Sequence, residues 1–360
     1  TGCGNLLRAS ASRRSLLSRP VSRLSSRDHL YRRSIQLGIE KMTIAILGEA
    51  IIDLIPDTDR RYKPYPGGSP YNVAIALARQ REPVSYISPF SEDAFGDLLH
   101  QGLTKEKARS PLVRRSHNPT SIALITKDQA DRPTYQLYRQ GIADKDISFS
   151  EIKAHLPRDL KIMHTGSLAL TPSQLPKIRK LLQLMNERSI TVSLDINIRL
   201  GATQDTAAYL QGVRSLLPFA DIVKTSDEDL EPFEFAPTAL AAAQIAFQEM
   251  GSGILVLTQG QADTVLFTAE ATLKQKPESL ANIQDTIGAG DSFYAAFLAF
   301  LCRKQLWHLD ILRNPIEAIG IATLQDALRF ANAAASINLS RIGCSPPILE
   351  EIEDFLARRH

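Results

Sequence analysis

The chain has 360 residues, 42 of them basic and 39 acidic, a formal net charge of +3 at pH 7, and 44% hydrophobic residues. That is enough for a large core, arranged either as one α/β domain with an insertion or as two or three domains. No apolar run approaches the roughly 18 residues of a membrane span. The three cysteines show neither metal spacing nor a disulfide framework, so a cytoplasmic setting is expected.

The charge is unevenly placed. Residues 1–40 hold eight Arg, no Lys and two acids, Asp28 and Glu40. The basic excess therefore belongs to this stretch, and the remainder gives no reason to expect nucleic-acid binding. The stretch is rich in Arg, Ser and Leu, and Met42 stands just before the first convincing strand. Residues 1–41 read as a disordered extension, either a transit peptide or non-native upstream sequence, ahead of a domain over 42–360.

Thr43–Gly48 is a short apolar run closed by glycine, as expected of a buried strand. The chain continues extended through Ile55. Asp53, inside this apolar stretch, is either held by a hydrogen bond or ligand, or faces solvent on an edge strand. Next, Gly67-Gly68-Ser69-Pro70-Tyr71-Asn72 leads into an apolar helix. Backbone N–H groups and the short amide of Asn72 could meet a polar small molecule there. Val84–Pro89 reads as a strand, and Asp93 opens a helix. Ser121–Thr126 and Thr134–Arg139 are strand-like, separated by a polar turn, and read as a hairpin that interrupts the strand–helix alternation.

From residue 160 the alternation is regular. Strands are expected at 160–164, 191–195, 221–224 and 254–258, with helices over 173–188, 206–217 and 238–250. Apolar strands alternating with amphipathic helices imply a mostly parallel sheet covered on both faces. Ligands in such sheets sit beyond the carboxyl ends of the strands. The segments 195–199, 224–229, 258–260 and 285–291 are all expected at strand ends, along one rim.

The segment Asp285-Thr286-Ile287-Gly288-Ala289-Gly290-Asp291-Ser292-Phe293 is a glycine turn feeding an alanine-rich helix. The N–H groups that open a helix have no internal partners and carry partial positive charge, so this turn reads either as an anion cradle or as an ordinary helix cap. Asp291 stands at its mouth, where a carboxylate could take a proton from an attacking hydroxyl. It is neither a Walker A loop nor a GxGxxG turn, and Gly48-Glu49-Ala50 lacks the dinucleotide fingerprint as well. A second alanine-rich helix over 324–341 contains Asn332 and stops at Gly343 before Pro346 and Pro347.

Taken in this order, the pieces resemble the ribokinase-like (PfkB) family of sugar kinases, over residues 43–358. Gly67–Ala74 is similar to that family's N-terminal signature and Asp285–Phe293 to its C-terminal one. Gly48-Glu49 through Leu54, Tyr138–Asp144 and Asp195–Arg199 look like its fructokinase branch. The resemblance implies a three-layer α/β/α domain with a small β lid formed by segments near 50–66 and 120–145. It implies ATP-dependent phosphorylation of a sugar, D-fructose in the leading reading. 2-Keto-3-deoxygluconate, ribose or a nucleoside such as adenosine are alternatives, as is a non-catalytic regulator on the same fold.

Carried over, Asp291 would be the general base and Gly288, Ala289 and Gly290 the anion hole. Asp53, Gly67, Gly68 and Asn72 would bind the sugar, with Arg139 and Arg199 as further contacts. Ser226, Thr258, Gly260 and Asn332 would line the ATP site. Asp285 and Ile287 match the place where many members bind K⁺. The Mg²⁺-organising Asn-x-x-Glu of the family falls on Ser226–Asp229, where Ser replaces Asn and Asp229 replaces Glu, leaving Glu228 as a rival ligand. Asp263 stands where the nucleotide loop usually carries another glycine. A small-molecule sugar is the expected partner, no membrane or nucleic acid is, and the family admits a homodimer.

Overall fold

Short runs of β-branched and other apolar residues build the central sheet of the computed structural model, which describes residues 43–57, 61–112, 114–127, 133–278 and 282–358. The extension expected over 1–41 lies outside the described residues. The main sheet contains β1 (Thr43–Ile46), β4 (Val84–Tyr86), β7 (Leu160–Gly166), β8 (Thr191–Asp195), β9 (Ile222–Ser226), β10 (Ile254–Thr258), β11 (Thr264–Phe267) and β12 (Thr272–Gln275). Its order is β12-β11-β10-β9-β8-β7-β1-β4. All neighbours from β10 to β4 pair in parallel, and β10, β11 and β12 pair antiparallel. The expected mostly parallel sheet is therefore present. The β11–β12 hairpin was not anticipated, because its four-residue runs are too short to carry a periodic signal.

The side-chain period of two divides the core between the sheet's two faces. Ile44, Ile46, Ile162, Ile222, Ile254 and Val256 pack on one face. Three helices cover it: α1 (Ser69–Arg79), α5 (Ala289–Arg303) and α6 (Ile321–Leu339). Ala45, Met163, Val192, Leu194, Val223, Leu255 and Leu257 pack on the other. There the cover is α2 (Leu175–Glu187), α3 (Thr206–Arg214) and α4 (Ala239–Met250). The result is a three-layer α/β/α arrangement.

A separate four-stranded sheet, ordered β3-β2-β5-β6, is made of β2 (Ile51–Pro56), β3 (Tyr62–Gly67), β5 (Ser121–Lys127) and β6 (Pro133–Tyr138). The expected hairpin is its β5–β6 pair. β2 follows β1 after only four residues, and β3 runs directly into α1. Those two short connections hold the small sheet over the carboxyl ends of the main one.

One expectation fails. Among the described residues no strand leads into the 285–291 turn, and the preceding strand, β12, ends at Gln275. The backbone N–H groups of Gln284 and Asp285 donate instead to Leu339 O, so the approach to the turn is tied to the end of α6 rather than to a sheet neighbour.

Candidate active site

The double glycine before α1 is required by close approach. Gly68 caps α1 at φ +101°, and a Cβ there would fall 2.7 Å from Glu49 O. A Cβ on Gly67 would lie 2.1 Å from Asp53 Oδ2, so the carboxylate on β2 rests against bare backbone. Asp53 pairs across the strands with Tyr65. Its pKa is pushed up to about 7 by burial first and by the neighbouring Asp291 second, with Arg199 opposing. Arg199 is exposed and anchored through Nη1 to Ile198 O, with its positive charge acting on Asp53.

The second glycine turn meets the first. Gly288 caps α5 at φ +73°, in the left-handed region that glycine adopts at little cost. A Cβ there would lie 2.2 Å from Cys344 Sγ, so the loop after α6 packs directly beneath the turn. Ala289 N–H makes a long bond of 3.3 Å to Thr286 O within the turn. Asp291, two residues further, is buried in the first turn of α5. Ser69 Oγ donates to its Oδ1 at 2.6 Å and Asn72 Nδ2 to its Oδ2 at 2.8 Å. The two glycine motifs thus converge on one carboxylate at two helix N-termini. A carboxylate held this way can take a proton, while N–H groups beside it can bind an anion.

Along the rim, Asp195 at the end of β8 and Lys224 on β9 form a buried ion pair at 3.2 Å. Burial works against the Lys224 ammonium, but Asp195, Asp229 and Asp291 outweigh it and hold its pKa above the ordinary lysine value. Asp229 sits in a capping box. Ser226 Oγ accepts from Asp229 N, and Asp229 Oδ2 accepts from Ser226 N. Its Oδ1 accepts from Ile198 N, so one oxygen closes the capping box and the other secures the loop after β8. Glu228 is exposed. Thr258 donates to Thr225 O across β9 and β10. Gly260 turns at φ +56° with open space where a side chain would stand. Asn332 on α6 accepts from Thr264 Oγ1, which leaves its buried Nδ2 without a hydrogen-bond partner. A bound ligand with an acceptor could satisfy it.

Three expected site residues also make architectural bonds. Asp285 accepts from Ile287 N and from Gly343 N, while Ile287 O accepts from Asn338 Nδ2. These bonds stitch the glycine turn to the loop after α6. Arg139 is committed through Nη1 to Asp144 and Ser121, at the base of the small sheet and beside buried Glu49. Among the described residues, its side-chain hydrogen bonds and ion pair go to Ser121 and Asp144, not to Asp53 or Asp291.

Sequence reasoning did not single out Ser69, Lys224 or Cys344. Lys224 carried a readable signal: a lysine inside the apolar run of a buried strand needs a partner.

The model for pfkB family carbohydrate kinases matches residues 41–351. The chain belongs to the pfkB family. Among its relatives, a fructokinase of Rhizobium leguminosarum bv. trifolii is 31% identical over 285 residues, covering 75% of this chain and 86% of the relative. Among solved structures, the fructokinase of Xylella fastidiosa with bound ATP has a TM-score of 0.76 at 24% identity, covering 89% of this chain and 99% of that one. The fructokinase of Vibrio cholerae O395 in its fructose, ADP and calcium ion bound form has a TM-score of 0.75 at 25% identity, covering 88% and 99%. This pfkB chain is a sugar kinase with the ribokinase-like fold.

Proposed function

We infer that this pfkB kinase transfers the γ-phosphoryl group of ATP to a hydroxyl of D-fructose, giving fructose 6-phosphate. The observation that carries the reading is the junction of Ser69, Asn72 and Asp291 at the mouth of the glycine turn. Asp291 accepts the hydroxyl proton as the sugar oxygen bonds to the γ-phosphorus. The bond from that phosphorus to the β–γ bridging oxygen breaks, and its electron pair leaves with ADP. Phosphoryl transfer asks mainly for positioning and charge stabilisation, and the Gly288–Gly290 turn supplies main-chain N–H groups for the developing charge. Asp53, backed by Gly67 and Gly68, receives sugar hydroxyls, with Asn72 and Arg199 beside it. Arg139 acts at one remove, fixing the base of the small sheet. That sheet serves as the lid, excluding water from the reacting groups. Ser226, Thr258, Gly260 and Asn332 line the nucleotide side.

Magnesium fits this donor set only as a metal carried on nucleotide phosphates. Mg²⁺ commonly takes one or two carboxylates, with phosphates and waters completing its shell. Buried Asp229 is the candidate, with exposed Glu228 as its rival, and the ion would neutralise charge on the transferring group. For K⁺, Asp285 and the Ile287 carbonyl offer oxygens that already accept hydrogen bonds but keep second lone pairs.

A coupled ADP-release assay with ATP, Mg²⁺ and K⁺ tests the reading on fructose, ribose, 2-keto-3-deoxygluconate, tagatose, glucose and adenosine. Turnover on fructose above the others is expected. Preference for another member overturns the substrate, and no turnover on any overturns the kinase reading for this panel.

A further inference from the structure

Lys224 is a buried cation facing the anion turn. Its Nζ lies 3.3 Å from where a Cβ on Gly290 would stand, so the missing side chain leaves the ammonium open to the turn's backbone. Its contacts to Asp195, 3.2 Å to Oδ1 and 3.4 Å to Oδ2, are long beside the ~2.7–2.9 Å of a charge-assisted N–H···O bond. The ammonium carries three donors, and these two weak contacts do not exhaust them. Asp229 and Asp291 also lie within its electrostatic reach. This pocket therefore holds three carboxylates around one ammonium, an unfavourable place for a phosphate unless that ammonium turns toward it.

A role as counter-ion to Asp195 does not account for the arrangement. A buried ion pair on adjacent strands is often no more stabilising than an apolar pair of the same volume. A lysine that served only Asp195 would have no need of a bare glycine in front of it.

We propose that Lys224 is a side-chain arm of the phosphate cradle, leaning on Asp195 and placing its ammonium on an oxygen of the γ-phosphoryl group as that group lies at the Gly288–Gly290 turn. Lys224 keeps its proton throughout; the proton released by the acceptor hydroxyl goes to Asp291. The inference rests on the sugar-kinase reading above and adds a residue to its machinery.

The test compares wild type, Asp195→Asn and the double variant Asp195→Asn/Lys224→Met. The double change removes both charges of the ion pair, so Asp195 is not left buried without its partner, while Asp229 and Asp291 keep their own hydrogen bonds. Binding of ADP and of the non-hydrolysable analogue AMP-PCP is measured by calorimetry, and fructose turnover by the coupled assay. Wild type and Asp195→Asn are expected to bind AMP-PCP more tightly than ADP, and the double variant to lose that preference. Its kcat falls by about 10²–10³, the usual loss for one donor to a developing oxyanion, with fructose KM within about threefold of the Asp195→Asn value. A double variant that keeps the AMP-PCP preference overturns the assignment, whatever its kcat. Absence of sugar turnover in wild type, together with loss of the preference in the double variant, would overturn the fructose reading and leave Lys224 in place.

Discussion

Ser69 and Asp291 stand 222 residues apart in the chain, and the Ser69 hydroxyl donates to the Asp291 carboxylate at 2.6 Å. This bond, with its companion from Asn72, joins the first turns of α1 and α5 and aims one carboxylate into the space beneath the small sheet. The two helices pack along the same face of the main sheet, so the bond rests on a shared apolar core.

Removing the charge at Asp291 tests the proton acceptor. In Asp291→Asn the amide still fits between Ser69 and Asn72, because the Asn72 amide can turn to present its oxygen. Sugar and ATP affinities measured by calorimetry should stay near wild type, while kcat falls by about 10²–10⁴. Wild-type turnover would rule Asp291 out as the base.

Gly67→Ala places a Cβ 2.1 Å from Asp53 Oδ2 and must displace that carboxylate. The expected result is a fructose KM raised about tenfold, equivalent to ~1.4 kcal/mol, with the ATP KM unchanged. Steady-state kinetics with each substrate varied in turn would show it, and an unaltered fructose KM would remove Asp53 from the sugar pocket.

Gly288→Ala combines a left-handed backbone with a collision against Cys344 Sγ. The conformational term alone costs about 1–2 kcal/mol, which a urea titration would register. A misplaced N–H donor should also lower kcat by about 10²–10³. Stability loss without a change in kcat would separate the turn from the chemistry.

Asp53 should impose a pH dependence on sugar binding. Burial and Asp291 raise its pKa to about 7, so the group is neutral below that pH and ionised above it. An ionised carboxylate makes hydrogen bonds roughly twice as strong as a neutral acceptor does. Fructose KM should therefore fall as pH rises through about 7, and Asp53→Asn should flatten the profile. A slope that survives in Asp53→Asn would assign the titration elsewhere.

Glu49 should make stability pH-dependent. It is fully buried, neither carboxylate oxygen receives a hydrogen bond of good geometry, and desolvation lifts its pKa from 4.5 to about 7 against the pull of Arg139. Between those values the folded chain holds the proton and the unfolded chain does not. Stability therefore declines across that window as pH rises, by up to ~3 kcal/mol at 1.36 kcal/mol per unit. Glu49→Gln removes this loss, so its stability relative to wild type should climb between pH 4.5 and pH 8 in denaturant titrations. A constant difference would mean that Glu49 does not titrate in that window.

The layered architecture was legible because its signals are local. Apolar strands such as Ile254–Thr258, the helices between them and the two glycine turns each declare themselves within a dozen residues. Asp291, Asn72 and Asp53 could be singled out because each is a polar residue in an apolar or glycine-rich setting. The β11–β12 hairpin was missed because its strands are four residues each, too short to show a period. The turn at Asp285 was expected after a strand because its neighbours along the rim follow strands; the loop's actual partner, Leu339, lies far along the chain.

Read by itself, the sequence determined the fold class, the glycine turn that opens α5 and the carboxylate at its mouth, since these depend on composition and spacing within single segments. Only the tertiary structure decided which donors hold that carboxylate, which arginine stays near Asp53 and which serves the base of the small sheet. It alone brought Lys224 up to Gly290. Those outcomes depend on contacts between residues tens to hundreds of positions apart, and such contacts exist only once both faces of the sheet are covered and the rim is assembled.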